Sequence, residues 1–109
     1  MKNAPAPGGG LALPASTGRT VLAIQGTDSK SSSTFTVPAS WTINFAYDCA
    51  NAPDNTNFQI FPTGSDANRP VTTVNEITEQ GSGTQKYTVA GTYYLVVNTM
   101  CNWKISVTD

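Results

Sequence analysis

The sequence predicts an all-β domain, an antiparallel β-sandwich of about eight strands with jelly-roll or Greek-key connections and one disulfide. Three observations carry this reading. Large apolar residues recur at every second position in one segment after another, the period of a strand with one buried face. No window sustains an apolar period of 3.6 residues over three turns. The two cysteines, Cys49 and Cys101, both fall on the apolar parity of their segments. Eight short strands in about 90 residues are best accommodated by two packed sheets; a small closed barrel is the alternative.

Residues 1–18 hold three of the seven prolines and four of the nine glycines. Such a stretch buries too little to offset its ordering entropy and reads as a flexible arm or linker. Residues 19–109 form the domain. "TVLAIQG" puts Leu22 and Ile24 on one face, and "STFTVP" puts Phe35 and Val37 on one face before Pro38 ends it. "SWTINFAYDC" aligns Trp41, Ile43, Phe45, Tyr47 and Cys49. "NFQIFP" gives Phe58 and Ile60. In "PVTTVNEI" the residues Val71, Val74 and Ile77 are three apart, which suggests a bulged strand or a short strand and a turn. "QKYTVAG" pairs Tyr87 with Val89, "TYYLVVN" gives Tyr93, Leu95 and Val97, and "CNWKISV" gives Cys101, Trp103, Ile105 and Val107. The clusters "GTDSKSS", "NAPDNTN", "TGSDANRP" and "EQGSG" read as turns between them.

Both thiols point inward, and there are only two, so they read as one structural disulfide from the end of a middle strand to the start of the last. The bridge closes a loop of about 50 residues, for which chain entropy gives roughly 4 kcal/mol. A metal site would need more thiols or a histidine, and the chain has no histidine. Trp41 and Trp103 could serve as sugar platforms, but each is in register with an apolar face and is expected in the core.

Composition excludes several partners. Net charge is −1, from six basic and seven acidic residues spread singly. No basic stripe offers itself to nucleic acid and no polybasic segment to anionic lipid. Charged residues make up 12% of the chain, about half the usual share. Thr, Ser and Asn supply the polarity instead, a balance common in extracellular β proteins. No apolar run reaches the roughly 18 residues of a transmembrane segment. The first residues lack the apolar centre of a signal peptide. Met1 therefore either stands where a leader was removed or begins a protein made without one, as a virion protein would be. The extracellular character favours the first.

Catalysis finds little support. Without histidine the usual general base is missing, along with the Ser-His-Asp and Cys-His arrangements. Glu76 and Glu79, three apart beside a turn, read as solvated loop charges rather than a glycosidase pair. "GSG" at 81–83 lacks the following helix of a phosphate loop and reads as turn chemistry. The expectation is no enzyme and no cofactor. Calcium is a better question than catalysis: Asp48, Asp54 and Asp66 are carboxylates among loop asparagines, although turns use the same residues. If the strand faces are as read, Phe61, Tyr94 and Val96 point outward and form a candidate ligand or assembly patch. Leu11 and Leu13 are the large apolar residues of the arm. "LALP" is expected to dock on a sheet face or edge, within one chain or between chains, giving a route to self-association.

The combined pattern V-L-x-x-x-G at 21–26, F-T-V at 35–37, W-x-I-x-x-x-Y-D-C at 41–49, N-F at 57–58, G-S-G-T at 81–84, G-T-Y-Y-L at 91–95 and C-x-W-x-I at 101–105 resembles a small domain of secreted proteins and lipoproteins of actinobacteria and related bacteria. "GTYYLVV" is also distantly similar to the last strands of pre-peptidase-type accessory domains. The resemblance implies an exported β-sandwich with a Cys–Cys bridge, and it brings no catalytic residues. The functional expectation is a non-catalytic extracellular module that binds a protein or glycan at the cell envelope. The alternatives are a structural subunit of a virion or extracellular filament, and a carbohydrate-binding module.

Overall fold

The computed structural model describes residues 11–14, 18–50, 56–64 and 73–109. These contain nine strands: β1 (Thr20–Thr27), β2 (Lys30–Ser31), β3 (Phe35–Val37), β4 (Trp41–Asp48), β5 (Phe58–Gly64), β6 (Val74–Glu76), β7 (Gln80–Tyr87), β8 (Gly91–Thr99) and β9 (Asn102–Thr108). One sheet has the order β1-β9-β4-β7 and the other β2-β8-β5-β6, with β3 also on β8; every pairing is antiparallel. β2 and β3 lie on successive parts of β8, pairing with Val96 and Val97 and with residues 91–93. They are two halves of one edge strand. Counted so, eight strands run first-eighth-third-sixth in one sheet and second-seventh-fourth-fifth in the other. That is a jelly roll, two Greek keys wound into a sandwich.

The serine-rich stretch read as a turn is therefore partly strand, and its serine side chains do the work of a ladder. Ser32 N donates to Leu95 O at 2.8 Å, while Leu95 N donates to Ser32 Oγ at 2.9 Å. Thr99 N donates to Ser29 Oγ at 3.1 Å. Hydroxyls thus satisfy β8 groups that the interrupted edge leaves without backbone partners. Between β1 and β2 the chain turns at Asp28, whose φ is 81°, a left-handed conformation that Asp tolerates better than most residues.

The core lies between the sheets and follows the predicted parity. Trp41, Ile43, Phe45 and Tyr47 of β4 and Trp103, Ile105 and Val107 of β9 face Phe58 and Ile60 of β5 and Tyr93, Leu95 and Val97 of β8, all buried. Trp41 stacks on Tyr87 at 4.3 Å between centroids and meets Tyr93 across the sandwich at 4.8 Å. At the other end Tyr47 stacks on Phe58 at 4.7 Å. Both indoles keep their N–H bonded: Trp41 Nε1 donates to Val89 O at 3.0 Å and Trp103 Nε1 to Asp28 O at 2.9 Å.

Two sequence expectations are corrected here. "EQGSG" is not a turn: residues 80–83 belong to β7, which ends at Tyr87, and Val89 lies beyond it. The glycines are needed inside the strand. Gly81 faces Tyr47 and Gly83 faces Phe45 in the β4–β7 register. A β-carbon there would lie 2.8 Å from Tyr47 Oη or 2.9 Å from Phe45 Cζ. The aromatic rings of β4 lean over an edge strand that has no side chain in their way. Glu76 is likewise not a solvated loop charge. It ends β6 half-buried, and Tyr47 Oη donates to its carboxylate at 3.3 Å. Of the three-apart apolar residues Val71 lies outside the described residues, Val74 opens β6, and Ile77 is exposed beyond it, a short strand followed by a turn.

Cys49 and Cys101 are joined, with Cα atoms 4.3 Å apart. The β4–β9 register ends at Asp48–Asn102, so the cysteines are the next opposed pair. The bridge closes the end of two adjacent strands of one sheet. Around it, Cys49 N donates to Glu79 O at 2.7 Å and Thr99 Oγ1 to Asn57 O at 2.7 Å. At the opposite end Arg19 and Asp109 exchange both backbone hydrogen bonds, and their side chains pair at 2.9 Å.

The outward side of the β1-β9-β4-β7 sheet is covered at its centre. Asn44 is 1% exposed, and Ala46, Ser106 and Thr108 are also buried. Asn44 Nδ2 donates to Ser106 Oγ and Thr108 Oγ1, both at 3.2 Å. Leu13 of the arm reaches the same sheet. Leu13 lines a cleft of about 500 Å³ with Ala23, Ile24, Gln25, Lys30, Lys104 and Ile105.

Candidate functional site

The outward face of the β2-β8-β5-β6 sheet brings the predicted patch together. Phe61 and Val96 are direct cross-strand partners in the β5–β8 register, and Tyr94 pairs with Thr63 one step along. Tyr94 is therefore diagonal to Phe61, within reach of an aromatic ring. Tyr94 is 36% exposed, and Phe61 and Val96 are half-buried.

Next to this cluster runs a row of amides that is not among the residues expected from the sequence. Asn98, Gln59 and Asn75 are opposed across β8, β5 and β6. Ser29 Oγ donates to Asn98 Oδ1 at 3.2 Å, Asn98 Nδ2 to Gln59 Oε1 at 2.9 Å, and Gln59 Nε2 to Asn75 Oδ1 at 3.4 Å. All three bonds run in one direction, so each polarises the next. A primary amide offers two N–H donors and two acceptor lone pairs. Asn98 and Gln59 each spend one donor and one acceptor in the row. One donor and one acceptor of each amide are left outside the row. The one available signal was that Gln59 and Asn98 share the outward parity of Phe61 and Val96. Their opposition depends on register, which the sequence does not state.

Among the described residues the face carries no charged side chain. Ser31, Thr36, Gln59, Phe61, Thr63, Asn75, Thr92, Tyr94, Val96 and Asn98 carry the outward parity of its strands.

The remaining predicted residues lie elsewhere. Leu11 and Leu13 are half-buried, with Leu13 on the opposite sheet, so the arm leucines and the Phe61–Tyr94–Val96 patch do not meet there. Of the calcium candidates, Asp54 and Asp66 lie outside the described residues. Asp48 Oδ1 accepts the Ala50 backbone N–H at 2.9 Å, an Asx turn. Among the described residues no three His, Cys, Asp or Glu side chains are grouped to hold a metal ion, and no helix is long and apolar enough to cross a membrane.

Two phenols are perturbed. Burial raises the Tyr47 phenol above its ordinary value; the Glu76 carboxylate adds to the rise and a hydrogen bond with Thr78 offsets part of it. Burial alone pushes Tyr87 far above its ordinary 10.0. Both belong to the core and neither faces the patch.

No known protein family, curated protein or solved structure is significantly similar to the chain.

Proposed function

We propose that this chain is a non-catalytic binding module that works outside the reducing cytosol, at a bacterial cell envelope, and binds through the outward face of the β2-β8-β5-β6 sheet. The observation that carries the reading is the convergence, on a face with no charged side chain among its described residues, of an apolar cluster, Phe61, Val96 and Tyr94, and a hydrogen-bonded amide row. Apolar area with a few oriented polar groups is the composition of a recognition surface. The disulfide supports an oxidising location. The resemblance to domains of secreted proteins and lipoproteins supports the envelope.

Jelly rolls serve as capsid subunits and as lectins, so the fold does not choose between a module and a structural subunit. The test is retention of the labelled protein on purified envelope fractions. Wild type is expected to be retained, Tyr94→Ala to be retained roughly tenfold less, and Thr84→Ala on the other sheet to match wild type. Absence of retention, or equal retention of Tyr94→Ala, would overturn the proposal. Assembly into an ordered polymer or ring in sedimentation would favour the structural subunit.

A further inference from the structure

We infer that the ligand of this face is a neutral glycan chain, one without carboxylate, sulfate or phosphate groups; this rests on the binding reading above. The first argument is charge. A face without cations or carboxylates among its described residues gives an ionic ligand no counter-charge, and binding an ion there would cost desolvation without return. The second argument is the chemistry of the row. Ser29, Asn98, Gln59 and Asn75 present oriented donors and acceptors side by side. A sugar hydroxyl both donates and accepts, so a line of hydroxyls matches a line of amides. An apolar peptide side chain would leave the remaining donors and acceptors of those amides unpaired, which is costly once water is excluded.

The third argument is layout. Along the strands the amide row and the Val96–Phe61 pair are two residues apart, roughly 7 Å, and across three strands the row extends on the order of 10 Å. A sugar ring has an apolar C–H face and a polar edge. On a chain of two or more sugars, the C–H face of one ring would cover Phe61 and Tyr94 while hydroxyls of the adjoining ring reach Asn98 and Gln59, which lie two to four residues along the strands. The row's own hydrogen bonds, 2.9–3.4 Å long and open to solvent, orient these amides before any ligand arrives, which lowers the ordering cost of binding.

The experiment is affinity electrophoresis of the intact chain through gels containing soluble neutral polysaccharides (mannan, dextran, xyloglucan and arabinogalactan), with polygalacturonate as the anionic comparison, backed by an array of neutral oligosaccharides. At least one neutral glycan is expected to bind, with retardation unchanged at high salt. Tyr94→Ala and Gln59→Ala should each weaken it by roughly tenfold without altering the melting temperature of the domain by more than a few degrees. The side-chain amide NMR signals of Gln59, Asn75 and Asn98 should shift on adding that glycan. Binding to polygalacturonate alone, binding to no glycan, or binding insensitive to both substitutions would overturn the inference. If no glycan binds while retention on envelope fractions still depends on Tyr94, the ligand class is wrong and the module reading stands. If retention is absent too, both fall.

Discussion

Tyr87 closes one end of the core by stacking on Trp41, and its burial holds the phenol neutral well above its ordinary value of 10.0. In the unfolded chain the same phenol ionises near 10. Above that pH the unfolded state has lost a proton that the folded state keeps. The contribution is therefore fully present below about pH 10 and is lost as pH climbs from there toward the folded value. Tyr47 acts in the same direction. Urea midpoints measured from neutral pH upward should stay level and then fall in the alkaline range. Tyr87→Phe keeps the ring and removes the titration, so its alkaline decline should be shallower. A decline identical to wild type would show that other groups carry it.

Among elements, the β4–β9 pair is the axis of the molecule: both strands are central in their sheet, and the disulfide closes their end. The cysteines are 52 residues apart in sequence, so the bridge restrains a long loop in the unfolded chain, worth about 4 kcal/mol. Replacing both cysteines by serine should lower unfolding free energy by about that amount in urea titrations, and native protein should show no reactive thiol under non-reducing conditions. A variant as stable as wild type would mean that native packing at the corner, including Thr99 Oγ1 on Asn57 O and Trp103 Nε1 on Asp28 O, carries the end without the bond. β7 illustrates the opposite device: its glycines weaken the strand's own propensity, yet they admit the Tyr47 and Phe45 rings.

At the scale of the whole molecule, the two sheets have different outer sides. One is covered at its centre and carries Leu13; the other presents a face without charged side chains among the described residues. Leu13 in its cleft links the arm to β1 and β9. Because Leu13 is only half-buried, Leu13→Ser is expected to cost on the order of 1 kcal/mol and to speed hydrogen exchange of the β1 amides while leaving β5 and β8 protected. Unchanged exchange in β1 would show that the contact contributes nothing and that the arm is merely a linker.

Period-two alternation by itself determined that the chain is all-β, which side of each main strand is buried, and that both cysteines point inward, because side-chain direction in a strand is a local consequence of the backbone. Hence Trp41, Phe45, Leu95 and Trp103 are in the core as expected, and Phe61, Tyr94 and Val96 face away from it. Only the tertiary structure decided the order of strands within the sheets, because pairing partners are distant in sequence and a pleat carries no record of its neighbour. That order made Cys49 and Cys101 an opposed pair and set Phe61 beside Val96 and Gln59 between Asn98 and Asn75. It also explains where local reading went astray. Gly81 and Gly83 are turn residues by propensity, but the aromatic rings opposite them made them strand residues, and the serines after Asp28 became ladder partners because β8 ran alongside with open backbone groups. Local pattern fixes which way a side chain points; only long-range pairing fixes what it meets.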